Sequence, residues 1–234
     1  MKLAKRLIPV YFLVILLFLA AAVLGDRAVT VLAQTRPLPR SQIFVIDAGH
    51  GGIDGGATSC TGVLESELNL QIALRLNDLL HLLGCDTRMI RTTDKSVFTS
   101  GDTIAAQKVS DLKQRVKMVN ETENGILISI HQNTFSDGRY SGAQVFYAQD
   151  SESQILAGQL QSNLILALNP GSNRKCKKAD GIYLIEHITG PGVLIECGFL
   201  SNIEEESKLR SKDYQQRLCA VIATTLCDHF GAGE

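Results

Sequence analysis

The sequence predicts an α/β fold, a three-layer αβα sandwich with a mostly parallel central sheet. Three observations predict it. From residue 41 onward, short β-rich apolar runs alternate with longer stretches of helical periodicity. Two of those runs, "QIFVID" (42–47) and "GILISIH" (125–131), carry no charged or titratable side chain before their last residue, as buried strands do. Strands that alternate with helices pair in parallel and are covered on both faces.

The elements follow in order. "QIFVID" is read as a buried strand ending at the glycine loop "AGHGGIDGGA". "ESELNLQIALRLNDLLHLLG" (65–84) places Leu68, Ile72, Leu76, Leu79, Leu80 and Leu83 on one helical face, with Gly84 as its stop. "CDTRMIRTTD" supplies a second strand. "AAQKVSDLKQRVKMVNE" supplies a helix with the apolar stripe Val109, Leu112, Val116 and Val119. "GILISIH" is a third strand that His131 closes. "GAQVFY" (142–147), a helix over 153–168, "GIYLI" (181–185) and "GVLIECGFLSN" (192–202) come next, the apolar runs among them read as strands. A last helix covers 214–230.

The first 40 residues are different. "MKLAKRLIPVYFLVILLFLAAAVLG" begins with Lys2, Lys5 and Arg6 and then runs uncharged from Leu7 to Gly25. Basic residues stay on the cytoplasmic side, so the remainder is expected outside the cytoplasm. The run is near the lower limit of about 18–20 residues for spanning a bilayer. Small-residue sites at Ala20–Ala22 and around Ala33 would also suit signal cleavage. The expected organisation is therefore an N-terminal signal or membrane anchor plus linker over 1–40, the linker marked by two prolines in "TRPLPR", and one working domain over 41–234. A net charge of -1 gives no electrostatic reason to expect nucleic acid. The six cysteines contain no CxxC pair, and free thiols are expected. Cys219 and Cys227, eight apart on one helix, would stand about 12 Å apart along its axis, too far for a disulfide.

Open α/β sheets collect their chemistry at the carboxyl ends of the strands. His50 follows the first strand, His131 ends the third, and Glu196 lies toward the end of "VLIE". Glu65 opens the helix after the glycine loop. Two histidines and a carboxylate form a ligand set suited to zinc, with a position left open for water. A further carboxylate beside that water can take its proton. Singly, His50 could be a turn residue, Glu65 a helix-dipole partner and His131 a strand cap. Glu196 is harder to explain structurally, because a carboxylate within "GVLIECGF" must be desolvated unless something compensates it. The glycines around His50 are read as allowing a sharp bend and the approach of substrate. "NRKCKK" (173–178) is read as a solvated basic loop, and His187 as a candidate lining residue of the cleft.

The pieces "IDAGHGGIDGGA", "ESELNLQIA", "RTTD", "LKQRVKMVN", "SIHQN", "GAQVFY" and "GVLIECGFLSN" together resemble the zinc-dependent N-acetylmuramoyl-L-alanine amidases of the type 3 family, over about residues 43–230. The resemblance implies zinc ligands at His50, Glu65 and His131, a catalytic base at Glu196, and a substrate-side role for Asn133. It implies hydrolysis of the amide between N-acetylmuramic acid and L-alanine in peptidoglycan. The compact chain, without appended wall-binding repeats or a self-blocking insert, is most similar to the CwlD-type germination-specific branch, which prepares muramic-δ-lactam in spore cortex. That branch implies control by timing or by an activating partner protein. Two alternatives are weighed: a zinc peptidase cutting within the stem peptide, which shares the ligand logic but for which the sequence has no HExxH motif, and a non-catalytic wall-binding or scaffold protein on the same fold, which the intact Glu196 disfavours.

Overall fold

The computed structural model describes residues 42–231. The expected signal or anchor and its linker lie outside the described residues. Among those described, no helix is long and apolar enough to cross a membrane.

Six strands form one sheet: β1 (Ile43–Ala48), β2 (Asp86–Met89), β3 (Gly125–Asn133), β4 (Gln144–Tyr147), β5 (Lys177–Lys178) and β6 (Gly192–Phe199). Their order is β2-β1-β3-β6-β4-β5. β1 pairs in parallel with β2 and β3, and β3 with β6, while β4 runs antiparallel to β6. The helices are α1 (Glu65–Leu82), α2 (Ile104–Asn120), α3 (Ser151–Leu168), α4 (Tyr183–His187), α5 (Ile203–Arg210) and α6 (Lys212–Gly231). The expected α/β sandwich with a mostly parallel sheet is what forms.

Strand alternation divides the core into two layers. Phe44, Ile46, Ile128, Ile130, Val193 and Ile195 face α1, α3 and α6, where Leu68, Ile72, Leu160, Leu218 and Ile222 complete the larger core. Val45, Leu127 and Leu194 face the other way, against Val119 of α2 and Leu184 and Ile185 of α4. The second cover is thin, because α4 is only 5 residues long. That thinness leaves a cleft open over the carboxyl ends of β1, β3 and β6.

Three local readings change. The sequence reads "GIYLI" as a strand, but Tyr183, Leu184 and Ile185 open α4 with Ile182 as its N-cap, and the edge strand is the short Lys177–Lys178 pair inside the basic loop. An apolar run this short cannot by periodicity distinguish strand from buried helix. The stripe on α2 is also rotated. Val109 and Leu112 are exposed, and the buried side chains are Arg115 and Val119. Arg115 can be buried because Asp47 and Asp111 neutralise it, with contacts of 2.5 and 2.6 Å. Finally, α5 follows β6 directly. Asn202 caps it by accepting from the backbone N–H groups of Glu204 and Glu205. Its buried Glu205 accepts from Gly142 and Phe199, and Glu206 from Ser59, so two carboxylates tie distant loops together.

Candidate metal centre and active site

The glycine loop leaves β1 in an unusual conformation, with His50 itself at φ 61°. Such a backbone persists only when its surroundings hold it. Here they do. Arg91 donates from Nε to the carbonyl of Ala48 at 2.7 Å and from Nη2 to Gly49 at 3.0 Å. Arg115 donates from Nη1 to Ala48 at 3.0 Å and from Nη2 to the carbonyl of His50 at 2.6 Å. Ser96 Oγ donates to the carbonyl of Gly51 at 2.6 Å. Four successive carbonyls are thus claimed from outside the loop, and they direct the His50 side chain into the cleft.

Glu65 arrives from the first turn of α1, on the opposite side of the sheet. Its Oε2 accepts from the backbone N–H of Ala57 at 2.9 Å, and its Oε1 from Gln132 N at 3.1 Å and Asn69 Nδ2 at 3.2 Å. The same carboxylate lies between the histidines: Oε2 is 3.3 Å from His50 Nε2, and Oε1 is 3.0 Å from His131 Nδ1. The imidazole centroids are 5.0 Å apart and inclined at 73°. His50, Glu65 and His131 each present one ligand atom, all within 4.8 Å of one another. Among the described residues they are the one such cluster of His, Cys, Asp or Glu.

Gly51, Gly52 and Gly56 take φ of 129°, 59° and 69°, the sharp bend the sequence suggested, and Gly49 and Gly56 are needed for a further reason. A Cβ on Gly49 would land on the His131 imidazole, and one on Gly56 would come within 2.6 Å of Glu65 Oε2 and 2.8 Å of His50 Cδ2. They make room for the ligand side chains themselves.

Electrostatics matches the geometry. Burial pushes the Glu65 carboxyl upward, but hydrogen bonds from His131 and His50 outweigh it and hold it well below the usual carboxylate range. Burial alone would lower His50, yet Glu65 and Asp54 raise it to about 9. Asp54 Oδ2 lies 2.8 Å from His50 Nδ1, while its Oδ1 pairs with Lys108 at 2.7 Å. With Nδ1–H donated to Asp54, His50 Nε2 is the atom that becomes a ligand once its proton, shared with Glu65, is displaced.

Glu196 stands directly opposite His131 in the parallel register of β3 and β6, just before the irregularity that shifts β3 between His131 and Asn133. Its Oε2 is buried with no hydrogen-bond partner. Burial raises its carboxyl to about 7, with Glu65 adding to the effect and His131 and His50 opposing it. The cleft, about 350 Å³, is lined by His50, His131, Glu196, Lys108 and Arg115, with apolar walls from Leu112, Tyr183, Leu184 and Leu194. A second hollow of about 380 Å³, at the opposite end of the sheet around Asn120 and Pro191, has no histidine. The chemistry rather than the volume selects the site.

The structure therefore brings His50, Glu65, His131 and Glu196 together. Asn133 ends β3 half-buried, its carbonyl accepting from Leu200 N at 2.8 Å, and it does not line the cleft. His187 also lies outside the lining. It stacks on Tyr183 at 3.9 Å, and Tyr183 reaches the cleft instead. Sequence reasoning passed over Asp54, Arg91 and Arg115. The signal for Arg115 was a charge at the position that continues the buried face of α2 through Val119.

A nitrogen and oxygen donor triad on the edge of an α/β sheet, with a desolvated carboxylate beside it, is an arrangement able to hold a metal ion next to a general base, as hydrolases use. The profile of the N-acetylmuramoyl-L-alanine amidase family matches residues 44–228, and the chain belongs to that family. It is 38% identical over 196 residues to the germination-specific N-acetylmuramoyl-L-alanine amidase of Bacillus subtilis, covering 82% of each chain. It is 32% identical to the Bacillus subtilis amidase LytC, over 80% of this chain and 35% of that one. Among solved structures it resembles the CwlD amidase from Clostridioides difficile, determined in complex with the GerS lipoprotein. That match has a TM-score of 0.78 and 33% identity, and covers 82% of this chain and 99% of the other.

Proposed function

We propose that this chain is a zinc enzyme that hydrolyses the amide between the lactyl group of N-acetylmuramic acid and L-alanine, with His50, Glu65 and His131 as the metal ligands and Glu196 as the base. The observation that carries the reading is the buried, unpartnered Glu196 Oε2 beside the ligand triad. A desolvated carboxylate without a partner costs stability, and a positioned water on its proton-transfer path gives it a use. The donor set also fits the ion: two imidazoles and one carboxylate suit zinc. When bound, zinc supplies Lewis acidity toward the substrate carbonyl and a lowered pKa for water.

The chain's own groups do the rest. Glu196 accepts the proton of the attacking water and returns it to the alanine nitrogen as the C–N bond breaks. Asp54 holds the His50 ring in the tautomer that presents Nε2. Asn69 and the N–H groups of Ala57 and Gln132 fix the Glu65 carboxylate. Leu112, Tyr183, Leu184 and Leu194 exclude water from one wall of the cleft, which strengthens the charge interactions inside it.

We extend the germination role of the Bacillus subtilis relative to this chain, so that the bond is cut outside the cytoplasm in spore cortex on the way to muramic-δ-lactam. The complex of the Clostridioides difficile relative supports a lipoprotein as the activating partner. Asn133 keeps the substrate-side role that the family resemblance implies, from outside the cleft lining. The catalytic domain is residues 41–234, delivered by an N-terminal membrane signal or anchor.

The test is mass spectrometry of peptidoglycan digested by the purified chain with and without added zinc. Released peptides beginning with L-alanine, absent after chelation and absent with Glu196→Gln, are expected. Cuts within the stem peptide would make the chain a peptidase, and no release at all would reject catalysis.

A further inference from the structure

Cys85 and Cys227 are 142 residues apart in sequence, yet their Sγ atoms approach to 3.9 Å. Cys85 sits at the corner where α1 gives way to β2, its backbone N–H donating to the carbonyl of Leu80 at 3.0 Å. Cys227 lies in the penultimate turn of α6. We propose that these two thiols are oxidised to a disulfide once the chain is outside the cytoplasm, stapling the C-terminal helix to the α1–β2 corner.

The approach is set by core packing and not by two mobile side chains. Leu76 and Leu80 of α1 and Ile222, Leu226 and Phe230 of α6 are buried in the same cluster as Cys85, with Cys227 packed on its edge. Two rigid helices thus fix the relative position of the sulfurs. A disulfide needs a sulfur separation of about 2 Å, and rotation of two cysteine side chains can close a gap of this size. The other sulfurs are placed differently. Cys197 and Cys219 are buried and directed at the carbonyls of Ile195 and Ile72, and Cys60 is exposed. Among the described residues no other two sulfurs lie within hydrogen-bonding distance.

The two thiols are also unequal. The contact with Cys227, together with burial, pushes the Cys85 thiol up, and the same contact draws the Cys227 thiol below its ordinary value. Cys227 is the more accessible of the two. It is therefore the sulfur that attacks as a thiolate, breaking the disulfide of a thiol–disulfide oxidoreductase or of oxidised glutathione and forming a mixed disulfide. Cys85 then gives its proton to solvent and attacks the Cys227 sulfur, expelling the oxidant's second sulfur as a thiol. Two electrons pass from the cysteine pair to the oxidant, which leaves fully reduced. The closed loop contains β2 to β6, so the bond restrains most of the unfolded domain.

The experiment uses the full chain, incubated with oxidised glutathione, denatured and alkylated. Of the six cysteines, four are expected to alkylate, and a proteolytic map should contain the Cys85 and Cys227 peptides joined with the loss of two hydrogens. Reduction should lower the thermal midpoint of the wild-type chain and leave that of Cys85→Ser unchanged. Six alkylated cysteines, or a cross-link between any other pair, would overturn the proposal. An equal effect of reduction on both chains would do the same. None of these readings depends on amidase activity.

Discussion

Gly49 and His131 are packed so closely that a single methyl group on Gly49 would occupy the space of the imidazole ring. The contact joins the end of β1 to the end of β3, where Gly49 N also donates to the carbonyl of Ile130 at 3.0 Å. Gly49→Ala should therefore fold but displace His131. Circular dichroism should be unchanged, zinc per chain should fall well below one, and hydrolysis should drop about 100-fold or more, since a displacement near 1 Å costs on that order. Normal zinc content in this variant would show that the loop yields more easily than the geometry implies.

Glu196→Gln separates chemistry from metal binding. Zinc should stay at about one per chain, while turnover falls about 10²- to 10⁴-fold, the range of a general base. The metal-free proteins make a second comparison. Because burial raises the folded Glu196 carboxyl to about 7, above its ordinary 4.5, its neutral form suits the fold. Its favourable contribution is complete below pH 4.5 and is lost as pH rises through 7. Denaturant titrations should show wild type weakening relative to Glu196→Gln across that window, by roughly 1–3 kcal/mol. A pH-independent difference would contradict the assigned environment.

His50 gives the opposite partner to metal a measurable signature. In the metal-free chain its imidazole holds a proton up to about pH 9, and a metal must displace it. Zinc affinity should thus rise about tenfold per pH unit between pH 6.5 and 9, with proton release visible by calorimetry. Asp54→Asn removes one of the groups that raise His50, so its affinity profile should flatten at a lower pH. Stability of the metal-free chain should run the other way: the His50 contribution is complete below pH 6.5 and disappears as pH passes 9.

Arg115 should prove the costliest of the loop-holding residues to remove. Arg115→Ala leaves Asp47 buried without its cation, Ser129 Oγ remaining as a neutral hydrogen-bond donor at 2.6 Å. A loss of about 3–5 kcal/mol is expected, with Asp47→Ala in the same chain recovering part of it. Arg115→Lys keeps the charge but cannot reach Asp47, Asp111, Ala48 and His50 together, so zinc occupancy should still fall. Equal stability of the single and double variants would show that the pair is not coupled.

How much of this was legible beforehand depends on the range of the interaction. The strands at 42–47 and 125–131 were readable because a buried strand excludes charge. The α1 face was readable because Leu68, Ile72, Leu76 and Leu80 repeat with the helical period. α4 was not readable, since "GIYLI" is too short for either period to declare itself. The α2 stripe was misaligned because periodicity counts Arg115 as a surface residue. Its burial becomes tolerable when Asp47, 68 positions away, joins the neighbouring Asp111 in neutralising it.

The sequence by itself determined the architecture and pointed His50, Glu65, His131 and Glu196 at one edge, because those follow from pattern and from strand ends facing one way, while the reaction class came from the resemblance of its motifs to the amidase family. Tertiary structure alone decided that Glu196 stands unpartnered beside His131, that Gly49 and Gly56 yield their space to ligands, and that Arg91 and Arg115 hold the loop. It also decided that Cys85 meets Cys227. Each of these depends on distances between residues remote in the chain, and those distances are set only when both faces of the sheet are packed.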